Sequence, residues 1–272
     1  MLKDITLGQY FPGNSRIHLL DPRTKLIMLI VYIVALFTAV SWISYLLMLV
    51  FLLTVIKIST VPFKSIIKGM KPLLVILIFT GVLNLFFTDG ENLLPESWLI
   101  SQYVRITEEG IVRAIFMLAR IMMLVMGTFL LTYTTSPIAL TDGLESLLSP
   151  LKKIHLPVHE LAMMMCIALR FIPTLIEETD KIMSAQKARG ADFESGKLVE
   201  RVKALVPILV PLFISAFRRA DELATAMECR CYQGGEGRTK MNLLRYRRWD
   251  FESFLIGAVL LAAVFVLRHF GL

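Results

Sequence analysis

The chain has 272 residues, 56% of them hydrophobic, and a net charge of +7. That apolar share exceeds the ~45–50% of an ordinary soluble domain and points to an integral membrane protein. Charged residues still make up 19% and are clustered, so part of the chain belongs to water or to an interface. The three cysteines, Cys166, Cys229 and Cys231, give no disulfide framework. All three fall in a stretch expected to be cytoplasmic, where thiols stay reduced.

Residues 1–24 are polar and turn-rich, with Pro12-Gly13-Asn14-Ser15 as a turn signal. They lack the apolar core of a signal peptide, so no removable targeting segment is visible and the first span is expected to be retained. Asp21-Pro22 predicts a helix start, because Asp accepts from orphan backbone N–H groups and Pro suits the first helical position. Residues 26–56 then carry no charge. That is too long for one crossing at ~20 residues and slightly short for two straight ones. The pattern predicts a tight hairpin of two spans turning near Ser41-Trp42-Ile43-Ser44, with Trp42 at the interface.

Residues 57–71 hold Lys57, Lys64, Lys68 and Lys71 and no acid, and read as a lysine-rich loop. Leu73 to Phe87 is a third span. Residues 89–110 carry Asp89, Glu91, Glu96, Glu108 and Glu109 against Arg105, and Ile111 to Tyr133 is a fourth span. Positive charge gathers on the cytoplasmic side, so the N-terminus and the lysine loop are expected inside and the acidic loop outside. Four crossings return residue 135 to the cytoplasm.

Residues 135–249 mix both signs of charge with periodic apolar residues. Leu140, Leu144, Leu147, Leu148 and Leu151 form a short amphipathic stripe. A second runs from Leu161 to Met183, and a third from Leu198 to Met227. The last two predict helices of ~30 residues, or ~45 Å, kinked at Pro173, Pro207 and Pro211. Ala204 to Phe217 is uncharged but short for a span, and reads as interfacial or packed, with a buried span as the alternative. Leu243 to Asp250 is a basic stretch with Trp249 as an interface anchor, and Phe251 to Leu267 is a fifth span that leaves the C-terminus outside. The expected fold is an all-α integral membrane protein. It has about five transmembrane helices, two long cytoplasmic amphipathic helices and one short one. The expected regions are 1–24, a four-span bundle at 25–134, a cytoplasmic region at 135–249 and a last span at 250–272.

Catalytic signatures are near-misses. Gly190 to Leu198 resembles a phosphate loop only loosely: the spacing to Gly196-Lys197 is one residue too long, and Leu198 stands where Ser or Thr is needed. His159-Glu160 opens a zinc-protease pattern, but Met163 replaces its second His. Cys229 and Cys231 could bind a soft metal, yet no further Cys or His lies nearby to complete a site. Met122-Met123 and Met163-Met164-Met165 fit adaptable packing better than a metal path. Arg120 lies inside the fourth span. It is either a functional intramembrane cation, or a bundle partner of a residue such as Asn84 or a side chain reaching for the interface.

Two other arginines carry a repeated pattern. Ser184-Ala185-Gln186-Lys187-Ala188-Arg189-Gly190 and Thr225-Ala226-Met227-Glu228-Cys229-Arg230-Cys231 each place a small hydroxyl residue and Ala before a small-Arg-small end, 41 residues apart. A cation at a helix C-terminus favours the helix dipole, which by itself explains one such arginine. Small neighbours on both sides of two arginines argue for docking: a partner backbone can come close while a planar guanidinium reaches for carboxylates and carbonyls. The expected docking set is Ala188, Arg189, Gly190, Cys229, Arg230 and Cys231.

At these residues the chain resembles the energy-coupling factor transmembrane proteins, the T subunits of ECF-type ABC importers. Gly8-Gln9-Tyr10-Phe11-Pro12-Gly13 and His18-Leu19-Leu20-Asp21-Pro22-Arg23-Thr24-Lys25 look like the family's entry into its first span. Ala188-Arg189-Gly190 matches its first coupling motif. Ala220-Asp221-Glu222-Leu223, Ala226 to Tyr232 and Gly234-Gly235-Glu236-Gly237-Arg238-Thr239 match the second and its tail. Ala-Arg-Gly is common in the family at both motifs, whereas here the second is Cys-Arg-Cys. The resemblance implies a non-catalytic subunit with no cofactor, metal or nucleic-acid partner. It would sit as a multi-pass protein in a prokaryotic cell membrane, N-terminus and coupling helices inside. Arg189 and Arg230 would each enter a groove on one of two cytoplasmic ABC ATPases. The rest of the coupling region and the bundle would hold a membrane-embedded substrate-binding S component that takes up vitamins or other micronutrients. The alternative from the sequence is a self-contained secondary transporter or channel, which needs polar groups or broken helices at mid-membrane.

Overall fold

A computed structural model describes residues 10–87, 108–191, 193, 198–235 and 243–270, and these contain helices and no strands. The helices are α1 (Pro22–Thr38), α2 (Trp42–Ser59), α3 (Phe63–Met70), α4 (Leu74–Phe87), α5 (Glu108–Thr134), α6 (Pro137–Leu148), α7 (Val158–Ala188), α8 (Leu198–Cys229) and α9 (Arg248–His269). They fall into two compact units, with the boundary inside α6. One gathers the described residues between 10 and 143 and between 244 and 270. The other gathers those between 144 and 243.

The first unit is the helical bundle. α1 begins where the Asp-Pro signal predicts: Asp21 accepts from the Arg23 backbone N–H, and Pro22 opens the helix. The hairpin is as tight as expected, since α1 ends at Thr38 and Ser41 caps α2 by accepting from the Ser44 N–H. Trp42 packs its ring 4.5 Å from that of Phe116. The core lies among α1, α2, α3, α5 and α9 and contains Ala35, Leu36, Met48, Ile66, Met123, Tyr133 and Val264. The lysine-rich stretch differs from the expected loop. Phe63–Met70 is helical and runs through a short 3-10 turn, Lys71–Leu73, into α4. Its apolar residues Ile66 and Met70 are buried while Lys64 and Lys68 stay exposed, and that amphipathic spacing is what folds it as a helix. Of the acidic loop, only Glu108 and Glu109 fall on a described element, the start of α5. Asp89, Glu91, Glu96 and Arg105 lie outside the described residues.

Polar contacts gather at one end of this bundle. Asp250, fully buried, accepts from the Asp21 backbone N–H at 2.9 Å and from the Arg247 N–H. One carboxylate thereby ties the starts of α1 and α9 together, so these two helices run in the same direction. Lys25 reaches across to donate to the carbonyl of Thr134 at 2.8 Å and to that of His18 at 3.2 Å. The Phe11 N–H adds a bond to the Tyr133 carbonyl. These donors satisfy carbonyls that the end of α5 would otherwise leave orphaned. Burial lowers the pKa of His18, so its neutral ring donates to the Phe11 carbonyl and accepts from the Ser15 hydroxyl. The chain therefore leaves this end through α1 and comes back to it through α5.

Among the described residues, five helices are long and apolar enough to cross a membrane: Trp42–Ser59, Phe63–Leu85, Gly110–Thr134, Val158–Ala188 and Arg248–His269. The number agrees with the sequence expectation, but the membership differs. α1 has 17 residues and at about 25 Å sits at the short end for a crossing, whereas α7, expected outside the bilayer, qualifies by length and composition.

The second unit is built on α7 and α8. The three prolines lie inside continuous helices: Pro173 in α7, and Pro207 and Pro211 in α8. Pro211 has no N–H to give the carbonyl of Pro207 one turn back, and Gln186 of α7 donates to that carbonyl instead, at 3.4 Å. Arg219 of α8 pairs with Glu178 of α7 at 2.7 Å. Since Gln186 meets residue 207 while Glu178 meets residue 219, the two helices run antiparallel.

Candidate functional site

The two arginine motifs end their helices with three matching backbone bonds, and the Arg189 N–H is also shared with the Ala185 carbonyl at 3.2 Å. In the first, the N–H of Arg189 bonds the carbonyl of Gln186, that of Gly190 bonds Lys187, and that of Ala191 returns to Gln186 at 3.0 Å. In the second, Arg230 bonds Met227, Cys231 bonds Glu228, and Tyr232 returns to Met227, also at 3.0 Å. Each is a Schellman-type end, in which the residue after the arginine takes a left-handed conformation so that the next N–H can reach back. Gly190 has φ +90° and Cys231 has φ +56°. Upstream, the hydroxyls of Ser184 and Thr225 each donate to the carbonyl four residues earlier, of Asp180 and Asp221. The repeat in sequence is thus a repeat in structure.

All six expected docking residues, Ala188, Arg189, Gly190, Cys229, Arg230 and Cys231, are solvent-exposed. A Cβ built on Gly190 meets nothing within 4 Å, so its open surroundings and its left-handed backbone, rather than crowding within the chain, describe that position. The antiparallel pairing separates the tips. Arg189 lies just beyond the Gln186–Pro207 contact, whereas Arg230 lies 23 residues further along α8, about 35 Å at 1.5 Å per residue. The two guanidiniums therefore cannot converge on one small ligand. They can engage two separate grooves.

The second tip has an anchorage that its sequence did not reveal. The chain after Tyr232 brings Gly235 so close to the ring of His159 that a Cβ there would lie 2.5 Å from it. His159 in turn bonds Glu145 through Nδ1 at 3.0 Å. The histidine of the incomplete zinc-protease pattern is thus a brace. Gly234-Gly235 in the motif tail was the one signal available, since glycine marks places where another group comes close to the backbone. Among the described residues no group of three or more His, Cys, Asp or Glu could hold a metal. Cys166, Cys229 and Cys231 are not joined in disulfides. The loose phosphate-loop likeness falls largely outside the described residues, as do Glu236-Gly237-Arg238-Thr239.

Arg120 sits apart from these tips, in α5. Its Nη2 donates to the carbonyl of Ala39 at 3.2 Å, just past the end of α1. Its guanidinium faces the rings of Phe37 and Tyr45 at 5.5 and 5.8 Å. That satisfies an orphan carbonyl at the α1–α2 turn and is the arrangement of a bundle partner. Asn84 donates to the carbonyl of Thr80 on its own helix.

Known proteins resemble this chain over nearly its whole length. A family model described as "CbiQ: Cobalt transport protein" matches residues 13–241. An energy-coupling factor transporter transmembrane protein EcfT from Clostridium kluyveri is 56% identical over 260 residues, covering 96% of this chain and 95% of that protein. Proteins of the same name from Ruminiclostridium cellulolyticum and Bacillus subtilis are 51% and 50% identical. Those matches cover 99% of this chain and 99% of the first, and 98% of this chain and 100% of the second. With a full-length match at this identity, the chain belongs to the EcfT family of energy-coupling factor transporter transmembrane proteins.

Proposed function

We propose that this chain is the coupling subunit of an ECF-type ABC importer. In this reading Arg189 and Arg230 dock one each into two cytoplasmic ATPase subunits. α7 and α8 carry ATP-driven motion to a membrane-embedded substrate-binding S component, which takes up a vitamin or another micronutrient. The chain itself hydrolyses nothing. The N-terminus, α6, α7 and α8 face the cytoplasm of a prokaryotic cell.

The observation that carries the reading is the pair of matching, exposed arginine ends held some tens of ångströms apart by an antiparallel helix pair. A single docking partner needs one such end; two equal ends suit two equivalent grooves. Small residues beside each arginine leave room for a partner backbone, and the guanidinium offers a forked donor for carboxylates and carbonyls. The charges on α7 at Arg170, Glu177, Glu178, Asp180 and Lys181 favour a helix lying at or below the membrane surface over one crossing it, because each charge at the bilayer centre is costly. The lysines of α3 fit the same cytoplasmic side.

The test is Arg189→Glu combined with Arg230→Glu in the intact complex. The double variant is expected to remain in the membrane with its S component but to lose the ATPases on purification. Either single variant keeps partial retention, because the remaining tip holds the second site at high effective concentration. Full ATPase retention by the double variant overturns the docking role.

A further inference from the structure

We propose that the bundle carries a binding site for one anionic phospholipid, with an acyl chain in a groove among α1, α2, α5 and α9 and the phosphate at Arg16. This goes beyond the coupling role and holds whether or not Arg189 and Arg230 dock ATPases.

The groove has a volume of about 350 Å³ and lies wholly within the bundle unit. Its wall is apolar, formed by residues such as Met28, Tyr32, Phe51, Leu130 and Ile256. From Lys25 to Tyr32 it follows α1 for about 10 Å. Thr54 and Ile58 on α2 and Ile256 on α9 line it and are exposed, so it opens sideways where a bilayer would lie. In water such a slot would be a liability; in a membrane it takes up hydrocarbon.

The polar end of the groove supplies the choice of lipid. It is the end where α1 and α9 begin and α5 finishes. The guanidinium of exposed Arg16 lies 4.6 Å from the ring of Trp249, and both line the groove. A guanidinium lying over a ring still presents N–H groups at its edge, and tryptophan favours the headgroup level. Lys25 also lines the groove, its ammonium held by two carbonyls. Arg245, Arg247 and Arg248 precede Trp249 in the chain. The acid in the lining is Glu252, and Asp21 and Asp250 are occupied by Arg23 and by backbone N–H groups. Cation therefore outweighs carboxylate at the mouth. A basic pocket between membrane helices on the headgroup side is the arrangement that holds an anionic headgroup.

The experiment places the full chain, in its complex, in nanodiscs of phosphatidylcholine with a minor share of phosphatidylglycerol. Gentle extraction and native mass spectrometry then identify the lipid that stays bound. Wild type is expected to retain one phospholipid per chain, enriched in phosphatidylglycerol by roughly fivefold over the bilayer, the factor one headgroup-level cation contributes. Arg16→Ala is expected to lose that enrichment, and Arg16→Lys to keep most of it. Thr54→Trp fills the groove from its exposed rim and is expected to lose the bound lipid. Retained lipid that mirrors the bilayer in wild type overturns the proposal, as does equal enrichment in Arg16→Ala. Undiminished retention by Thr54→Trp moves the lipid elsewhere and overturns the groove assignment; the two Arg16 variants test the headgroup site without changing the apolar wall.

Discussion

In the bundle Leu36, Met48 and Val264 are 0% exposed, whereas on α8 Phe213, Ile214 and Phe217 stand 58–68% exposed. Val158, Ala162 and Ile208 are the buried apolar residues of the α7 and α8 helices among those described. The bundle makes its own core. Among the described residues the helix pair is linked by Gln186 to the Pro207 carbonyl and by Glu178 to Arg219, and it leaves long apolar faces open. Lipid is an adequate solvent for the outer surface of the bundle. A helix pair bearing Glu177, Glu178, Arg218 and Arg219 beside Phe213 and Phe217 suits a protein partner that covers the apolar part and leaves the charges wet. A transmembrane component of a transporter complex has reason to be built this way, with one half packed around its own core and the other leaving apolar faces exposed.

The largest test of that contrast is a truncation in each half. Leu36→Ala is expected to cost about 2 kcal/mol or more in thermal unfolding of the isolated chain in detergent, because it opens a cavity in a closed core. Phe217→Ala, at a residue 68% exposed, is expected to change that unfolding by less than ~0.5 kcal/mol. In the assembled complex the order reverses: Phe217→Ala is expected to loosen retention of the membrane partner, and Leu36→Ala to leave retention per folded chain unchanged. Equal destabilisation of the isolated chain by both would show that the α8 face is already covered internally.

An intermediate effect separates the two tips. Cys231 adopts the left-handed conformation that Gly190 adopts without cost. Cys231→Gly is expected to stabilise the second helix end by about 1 kcal/mol and Gly190→Cys to weaken the first by a similar amount. Hydrogen exchange at the Tyr232 and Ala191 amides reads this directly, since each amide makes the returning bond. Slower exchange at Tyr232 in Cys231→Gly and faster exchange at Ala191 in Gly190→Cys are the expected pair. Unchanged rates at both would mean that the caps open independently of this backbone angle. The result also bears on docking: a bulky residue at Gly190 combines backbone strain with steric bulk, so Ala188 and Cys229 are the cleaner positions for testing close approach.

What could be read beforehand followed the range of the interaction. The start of α1 at Asp21-Pro22, the hairpin at Ser41 and the arginine ends of α7 and α8 are set by neighbours within one turn, and the sequence carries those signals. The Asp21–Asp250 link joins residues far apart in the chain, and no local pattern announces it. Arg120 was legible as an unusual cation in a span, but its partner is a backbone carbonyl at Ala39, and carbonyls carry no sequence signature. The lysine-rich stretch reads as a loop in sequence because lysines dominate its composition, while the buried pair Ile66 and Met70 set its structure. Cys231 in a left-handed position is the reverse case, a residue whose chemistry hides a backbone role usually given to glycine.

The smallest expected effect lies in the pair that orients the tips. Glu178 and Arg219 meet at 2.7 Å with side chains 21% and 33% exposed, so solvent screens much of their attraction. A double-mutant cycle with Glu178→Gln and Arg219→Gln is expected to yield a coupling of about 0.2–1 kcal/mol in thermal unfolding, the range of partly exposed pairs. Geometry should respond more than stability. The Gln186–Pro207 bond is long and exposed, so loss of the ion pair removes the shorter of these two described side-chain links between α7 and α8. Spin labels at positions 188 and 229 are therefore expected to report a broader distance distribution in either single variant. The charge-swapped double, Glu178→Arg with Arg219→Glu, is expected to restore the narrow one. A distribution equally narrow in all variants would mean that apolar packing along α7 and α8, and not this ion pair, sets the spacing of Arg189 and Arg230.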